Sequence, residues 1–211
     1  MVSTLGRFAL VIRPKSEHSH GKCGLTEAPK SRLTIDGVPG FEPEIGRVVW
    51  MLEETRQRTK AGLAGLADDQ LDWTTVSAEN SKSNSIGALL YHIAAIEADW
   101  LYAEILEAEV YPSEVMDLFP EDVRDDGGHL TVAQGVSLDA HLLRLDAVRE
   151  RVLAAFSGMS LNEFRRERNL PDYTVTPEWV LHHLMQHEAE HRGEIGMLRM
   201  VMTARRETTG A

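Results

Sequence analysis

Cysteine is almost missing from this 211-residue chain: the single thiol, Cys23, lies in the N-terminal stretch. One cysteine cannot close an intrachain disulfide, which agrees with a reducing, cytoplasmic setting. Residues 41–211 hold no thiol at all, so a sulfur nucleophile acting there has to arrive with a substrate. Long apolar runs are missing too. None approaches the roughly 18–20 residues that span a bilayer, and FALVI near the N-terminus is too short for the core of a secretory signal. No membrane partner is expected. Basic residues are in short supply, with 22 Lys and Arg against 33 Asp and Glu and a net charge of −11. Residues 1–40 are nonetheless +3, which leaves −14 for the rest. A body that acidic repels a phosphate backbone and shows no basic stripe, so nucleic-acid binding is excluded as an expectation.

What is present divides at about residue 40. Residues 1–40 are rich in Ser, Gly, Pro and Lys without sustained periodicity, and are read as a poorly ordered extension. A misplaced start codon and a transit peptide are the other readings of that stretch. Residues 41–211 carry helical periodicity. Ile45, Val48, Val49, Leu52, Thr59, Leu63 and Leu66 predict a first helix of about five or six turns from Pro43, closed by a turn at ADDQLDW. The polar SKSNS then offers N-caps for a second helix, from about Ser85 to Glu109, with Ile86, Leu89, Ile93, Ile96 and Trp100 on its buried stripe. A connection with two Pro, several Gly and clustered Asp follows over residues 110–136 and is long enough to shape a site or an interface. A third helix is predicted from about Ser137 to Phe156, and NLPDYTVT reads as a short hairpin or extended crossing. Thr176 as N-cap, Pro177 at the first helical position and Glu178 in the first turn start a fourth helix running to about Ala204. The expected fold is all-α: an up-down four-helix bundle with a long connection between its second and third helices.

Within the fourth helix lies HEAEH, residues 187–191, which reads as the H-E-x-x-H of zinc proteases. The longer metzincin pattern fails: HEAEHRGEIGM has Glu194 where that pattern wants Gly and Met197 where it wants His. No sheet is predicted upstream to hold a peptide, so the protease reading is set aside. At 100° per residue, Val180, Leu184, His187, His191, Ile195, Leu198 and Met202 share one face, which puts both histidines in the stripe facing the core. His92 occupies the core stripe of the second helix, between Leu89 and Ile96. A lone histidine on an apolar face is usually a satisfied core residue. Three neutral imidazoles converging from two helices, with room for water, make instead a catalytic-type metal site. Zn is the default ion, with Ni or Fe also suited to imidazole. Glu194 returns to the inward face one turn beyond His191, and Asp99 shares the side of His92; both are candidate catalytic groups, to orient a ligand or accept a proton. Glu194 paired with Arg192 or Arg199 is the bland alternative. Trp73, Trp100 and Trp179 read as packing anchors. Met185, Met197, Met200 and Met202 read as core or dimer filler, which leaves a homodimer as an expectation. His129 and His141 lack ligand spacing. Glu188 and Glu190 are expected on the solvated or helix-contact side, with Glu190 near enough in angle to accept a hydrogen bond behind the site.

NSIGALLYHIAAIEADWLYAEIL (84–106) with TPEWVLHHLMQHEAEHRGEIGML (176–198) resembles the DinB/YfiT-like superfamily of metal-binding four-helix bundles, over roughly residues 41–205. FPEDVRDDGGHLT and SLDAHLLRLDAVRERV between them are similar to its members as well. The resemblance implies one metal ligand from the second helix and two from the fourth, at His92, His187 and His191. HRGE stands where H-R-G-Q is frequent in the family, so Glu194 replaces a common amide. Its members include S-transferases that use low-molecular-weight thiols, a thiol-dependent maleylpyruvate isomerase and proteins classed as metal-dependent hydrolases. The resemblance therefore implies a metal-dependent enzyme that transfers a small thiol cosubstrate to a small-molecule electrophile. Hydrolysis of a small ester or amide, and a non-catalytic metal- or ligand-binding stress protein, are the alternatives.

Overall fold

The computed structural model describes residues 33–75 and 83–209; Cys23 and most of the predicted extension lie outside them. Four long helices carry the fold. The first, α1, spans Pro43–Leu63, with Pro43 at its first turn and the Glu42 carboxylate accepting from the Glu44 N–H at 2.9 Å. It stops short of Leu66 because Gly65 turns the chain with φ 76°, a conformation glycine takes without steric cost. The segment expected as a plain turn holds one helical turn, α2 (Asp68–Leu71).

Ser85 caps α3 (Ile86–Asp99), its Oγ accepting from the Ala88 N–H at 3.1 Å. This helix then changes pitch: Trp100–Ile105 form a π-helical turn, and Glu107 ends the run at φ 49°. The predicted continuation to Glu109 is thus cut short by four residues. Left-handed backbone at Glu107 cannot propagate a right-handed helix.

The long connection contains α4 (Ser113–Met116) and a tight hairpin-like turn at residues 124–130. In that turn Asp125 Oδ1 accepts from the Gly127 and His129 N–H groups, both at 2.9 Å. Helix α5 spans Leu138–Phe156 from a Ser137 cap, and a one-turn α6 (Leu161–Phe164) follows. The predicted hairpin is present as β1 (Arg168–Asn169) and β2 (Thr174–Val175), pairing Arg168 with Val175. Helix α7, Pro177–Thr209, starts as its sequence dictates, with Thr176 Oγ1 accepting from the Trp179 N–H at 3.2 Å.

Helix α1 packs along α7 and α3 along α5, with α3 also against α7. Two large apolar clusters of the described residues fill the bundle, beside a small one at Tyr91, Ala95 and Ala133. One gathers Ile45, Leu52, Leu101, Phe156, Phe164, Val180 and Leu184; the other gathers Leu63, Leu71, Ile86, Leu89, Ile93, Leu145, Ile195 and Leu198. Along α7 the two clusters meet between Leu184 and Ile195, where His187, Glu188 and His191 sit. No described helix is long and apolar enough to cross a membrane.

Candidate metal centre

The polar layer between the apolar clusters has two halves. One is a closed set of four buried charges: Arg56 from α1, Glu97 from α3, Arg149 from α5 and Glu188 from α7, each at most 4% exposed. Arg56 donates to Glu188 at 2.8 Å and to Glu97 at 2.5 Å, while Arg149 donates to Glu97 at 2.5 Å and to Glu188 at 3.2 Å. The remaining guanidinium hydrogens reach the carbonyls of Leu145 and Leu52 and the Glu53 carboxylate. Burial alone would raise the Glu97 carboxyl, but Arg149 and Arg56 hold it below the usual carboxylate range. Glu188 therefore takes the helix-contact option of the two read from its phase, and Glu190 is solvent-exposed.

The other half is the histidine cluster. His187 Nε2 lies 3.1 Å from His92 Nε2 and 3.1 Å from His191 Nε2. The rings meet edge-on, at 61° for His92 with His187, 84° for His92 with His191 and 88° for His187 with His191. Ligand atoms about 2.0–2.1 Å from a tetrahedral ion stand roughly 3.3 Å apart, so the observed spacing fits one first-row ion held by three nitrogens. His92, His187 and His191 thus form a group that could hold a metal ion.

Protonation state agrees. Burial, then the neighbouring His191 and Arg124, lowers His92 to about 4. Burial, then His191 and His92, lowers His187 to about 3. Both imidazoles are neutral near pH 7, the form that ligates. His191 Nδ1 faces Glu194 Oε1 at 3.2 Å, so its second nitrogen can donate to that carboxylate and leave the Nε2 lone pair turned inward. Among the described residues, none partners the buried His92 Nδ1.

The cluster forms one wall of an open cavity of about 390 Å³, whose other walls include Asn84, Ile96, Trp100, Arg124, Leu130 and His183. No described lining residue is acidic. Arg124 donates to the Gly128 carbonyl at 2.9 Å, which ties it to the turn, and its charge is felt at His92.

Of the five sequence candidates, His92, His187 and His191 are brought together. Glu194 reaches the site only through the back of His191. Neither arginine proposed as its partner takes it: Arg192 and Arg199 bond main-chain carbonyls of Thr55, Gly62 and Ala64. Asp99 is not with the cluster. It is exposed and accepts from Tyr111 at 2.6 Å, because seven residues of helix carry it about 10 Å along the axis from His92 even while returning it to the same side. The residues missed by sequence reasoning are Arg124, Trp100 and His183. A signal for His183 was available, since Trp179, His183, His187 and His191 recur every fourth position on α7.

Comparison with known proteins bears on the family and the fold. The family model described as the DinB superfamily matches residues 51–195. None of the curated proteins matches the chain. Among solved structures, a conserved protein from Enterococcus faecalis superposes with a TM-score of 0.54 at 15% identity, over 72% of this chain and 92% of its own. At that identity the likeness is one of fold.

Proposed function

The chain belongs to the DinB superfamily, and from that premise we propose that it is a metal-dependent enzyme that transfers a small thiol to a small electrophile. His92, His187 and His191 would hold one divalent ion, Zn by default. Bound there, the ion would offer an open position to a thiol and lower its pKa, so that thiolate is present near pH 7. The thiol sulfur would form the new bond to carbon as the bond from that carbon to its leaving group breaks (chloride, for a chlorodinitrobenzene-type electrophile), and the thiol proton and the leaving group would depart through the open cavity to solvent.

One observation carries the choice of a thiol over water: the cavity beside the three Nε2 atoms has no carboxylate in its described lining and has Arg124 at its edge. An anionic sulfur nucleophile meets no like charge there. Hydrolysis of an ester or amide, in contrast, gains from an acid that protonates the leaving group, and the lining offers no carboxyl for it. Glu194 is turned away behind His191, where it orients that ring. The absence of cysteine from residues 41–211 is consistent with sulfur supplied by a cosubstrate.

The Co(II)-substituted protein tests this directly. A small thiol such as 2-mercaptoethanol should produce a sulfur-to-cobalt charge-transfer band, and turnover of chlorodinitrobenzene- or maleylpyruvate-type electrophiles should require both thiol and metal. Ester cleavage without thiol would favour hydrolysis instead. Silence in both assays would leave a metal-binding protein without catalysis.

A further inference from the structure

A second cavity, of about 490 Å³, adjoins the metal cavity, and Trp100 is a wall of both. It is lined by Trp100, Tyr173 and Trp179 together with Glu167 and the residues 174–176 that lead into α7. Trp179 and Tyr173 are 47% and 43% exposed, large aromatic surfaces left open to the cavity rather than packed away. The rings are nevertheless held in place. Trp179 stacks on His183 with centroids 5.1 Å apart and planes 7° apart, and Trp100 lies 5.4 Å from Trp179 and 4.7 Å from His183. The Tyr173 hydroxyl donates to Glu104 at 2.7 Å, which fixes its ring at 6.1 Å from Trp100. His183 in turn lies 5.9 Å from His187, so an unbroken row of rings leads from the second cavity to the metal-ligating imidazoles. The π-helical turn that begins at Trp100 is where the regular helix gives way, as π-turns often do at functional sites.

We propose that this aromatic annex seats a planar aromatic body of the electrophile, whose reacting carbon then lies at the metal cavity. The proposal rests on the thiol-transfer reading for the identity of that substrate, and on the annex alone for its aromatic character. Size allows it. A cavity of about 150 Å³ suffices for benzene, and the annex is several times larger. Offset or edge-on packing against tryptophan and tyrosine faces favours a flat ring over an alkyl chain of equal reactivity.

Two epoxides with the same reacting group separate these effects: styrene oxide carries a phenyl ring and 1,2-epoxybutane an ethyl group. In each, the thiol sulfur forms a C–S bond, a ring C–O bond breaks, and the oxygen takes a proton from water. The metal-loaded full chain should prefer styrene oxide in kcat/KM relative to the uncatalysed ratio. Trp179→Ala should lower that preference about three- to tenfold, the fold-change expected of one aromatic pair. Trp73→Phe, which alters a ring packed on Arg205 toward the far end of α7, should leave it unchanged. A preference unaltered by Trp179→Ala overturns the proposal. Independently of turnover, 1-phenyl-1,2-ethanediol should shift the indole N–H resonances of Trp100 and Trp179 in the unsubstituted protein but not those of Trp50 and Trp73, whereas 1,2-butanediol should shift none. No turnover of either epoxide with thiol would defeat the thiol-transfer reading, and the indole shifts would then decide the annex on their own. Absence of those shifts rejects it.

Discussion

At the scale of single residues, Glu194 is a positioning group. Its Oε1 lies 3.2 Å from His191 Nδ1, on the side of the ring away from the other two imidazoles. A carboxylate there holds the ring in orientation, and losing such a partner costs about 10–100-fold in metal affinity. Glu194→Ala should show a loss of that order in competition titration with a chelator. Glu194→Gln, which keeps an acceptor oxygen without the charge, should lose less, and the acidic limb of its pH–rate profile should remain. Full metal affinity in both variants together with a vanished acidic limb would instead assign Glu194 the proton-accepting role. His141 is a second case where one side chain sets a measurable. It is 1% exposed, and Arg144 lies 3.2 Å from its Nδ1. Arginine can only donate, so Nδ1 accepts and the proton sits on Nε2, which has no partner among the described residues. Burial, then Arg144, lowers His141 from 6.5 to about 4. Between those values the unfolded chain binds a proton that the native protein does not, so stability rises with pH across that window and is lost as pH falls through it. His141→Gln should therefore lose less stability than the parent between pH 7 and pH 5 in urea titrations. An identical slope for both would show that His141 does not titrate as described.

At the scale of elements, the four-charge layer ties together α1, α3, α5 and α7 directly beneath the histidines. Each guanidinium touches both carboxylates, so removing the Glu188 charge takes a buried partner from both arginines, and the partly exposed Glu53 reaches only Arg149. Breaking a buried pair from one side costs about 3–5 kcal/mol, and Glu188→Gln should show a loss near the lower end of that range in chemical denaturation. A change below about 1 kcal/mol, the level of an exposed pair, would mean the layer admits water. This layer also marks the limit of what the sequence disclosed. The starts of α5 and α7 were legible because Ser137, Thr176 and Pro177 act on their own next turn, whereas α7 runs to Thr209, past the predicted Ala204. The inward phase of His187 and His191 was legible because apolar residues flank them at helical spacing. His92 followed from the same argument on α3. The partner of Glu188 lies 132 positions away in Arg56, which no local pattern reports. The π-helical turn was hidden because WLYAEI carries the same apolar residues an α-helix would. Asp99 was misplaced because angular phase says nothing about distance along the axis.

At the scale of the whole molecule, an ion held by the three histidines would join folding to binding. His92 and His187 are 95 positions apart in sequence, and their Nε2 atoms come to 3.1 Å only when α3 and α7 pack. The unfolded chain retains at most the His187–His191 pair on one segment, so the folded bundle would bind an ion more tightly. Metal in 100-fold excess over its Kd then stabilises the native state by about 2.7 kcal/mol. For a domain of this length each kcal/mol moves Tm by about 2–4 °C, so loading should raise Tm by roughly 5–10 °C over chelator-treated protein in a calorimeter. His187→Ala and His92→Ala should each abolish most of the rise, since either leaves only two nitrogens. Retention of the full rise in His92→Ala would exclude it as the third ligand and point to a different donor. The effect of pH on the loaded protein has a calculable direction as well. With His187 held near 3 and His92 near 4, protons compete for those nitrogens only in acid, well below the window in which a free imidazole would protonate. Protonation of His92 and His187 should therefore weaken metal-dependent stabilisation only below about pH 5, and in the metal-free protein neither imidazole should titrate between pH 7 and pH 6 when followed by NMR. Titration of either ring in that window would show that the bundle does not hold them neutral.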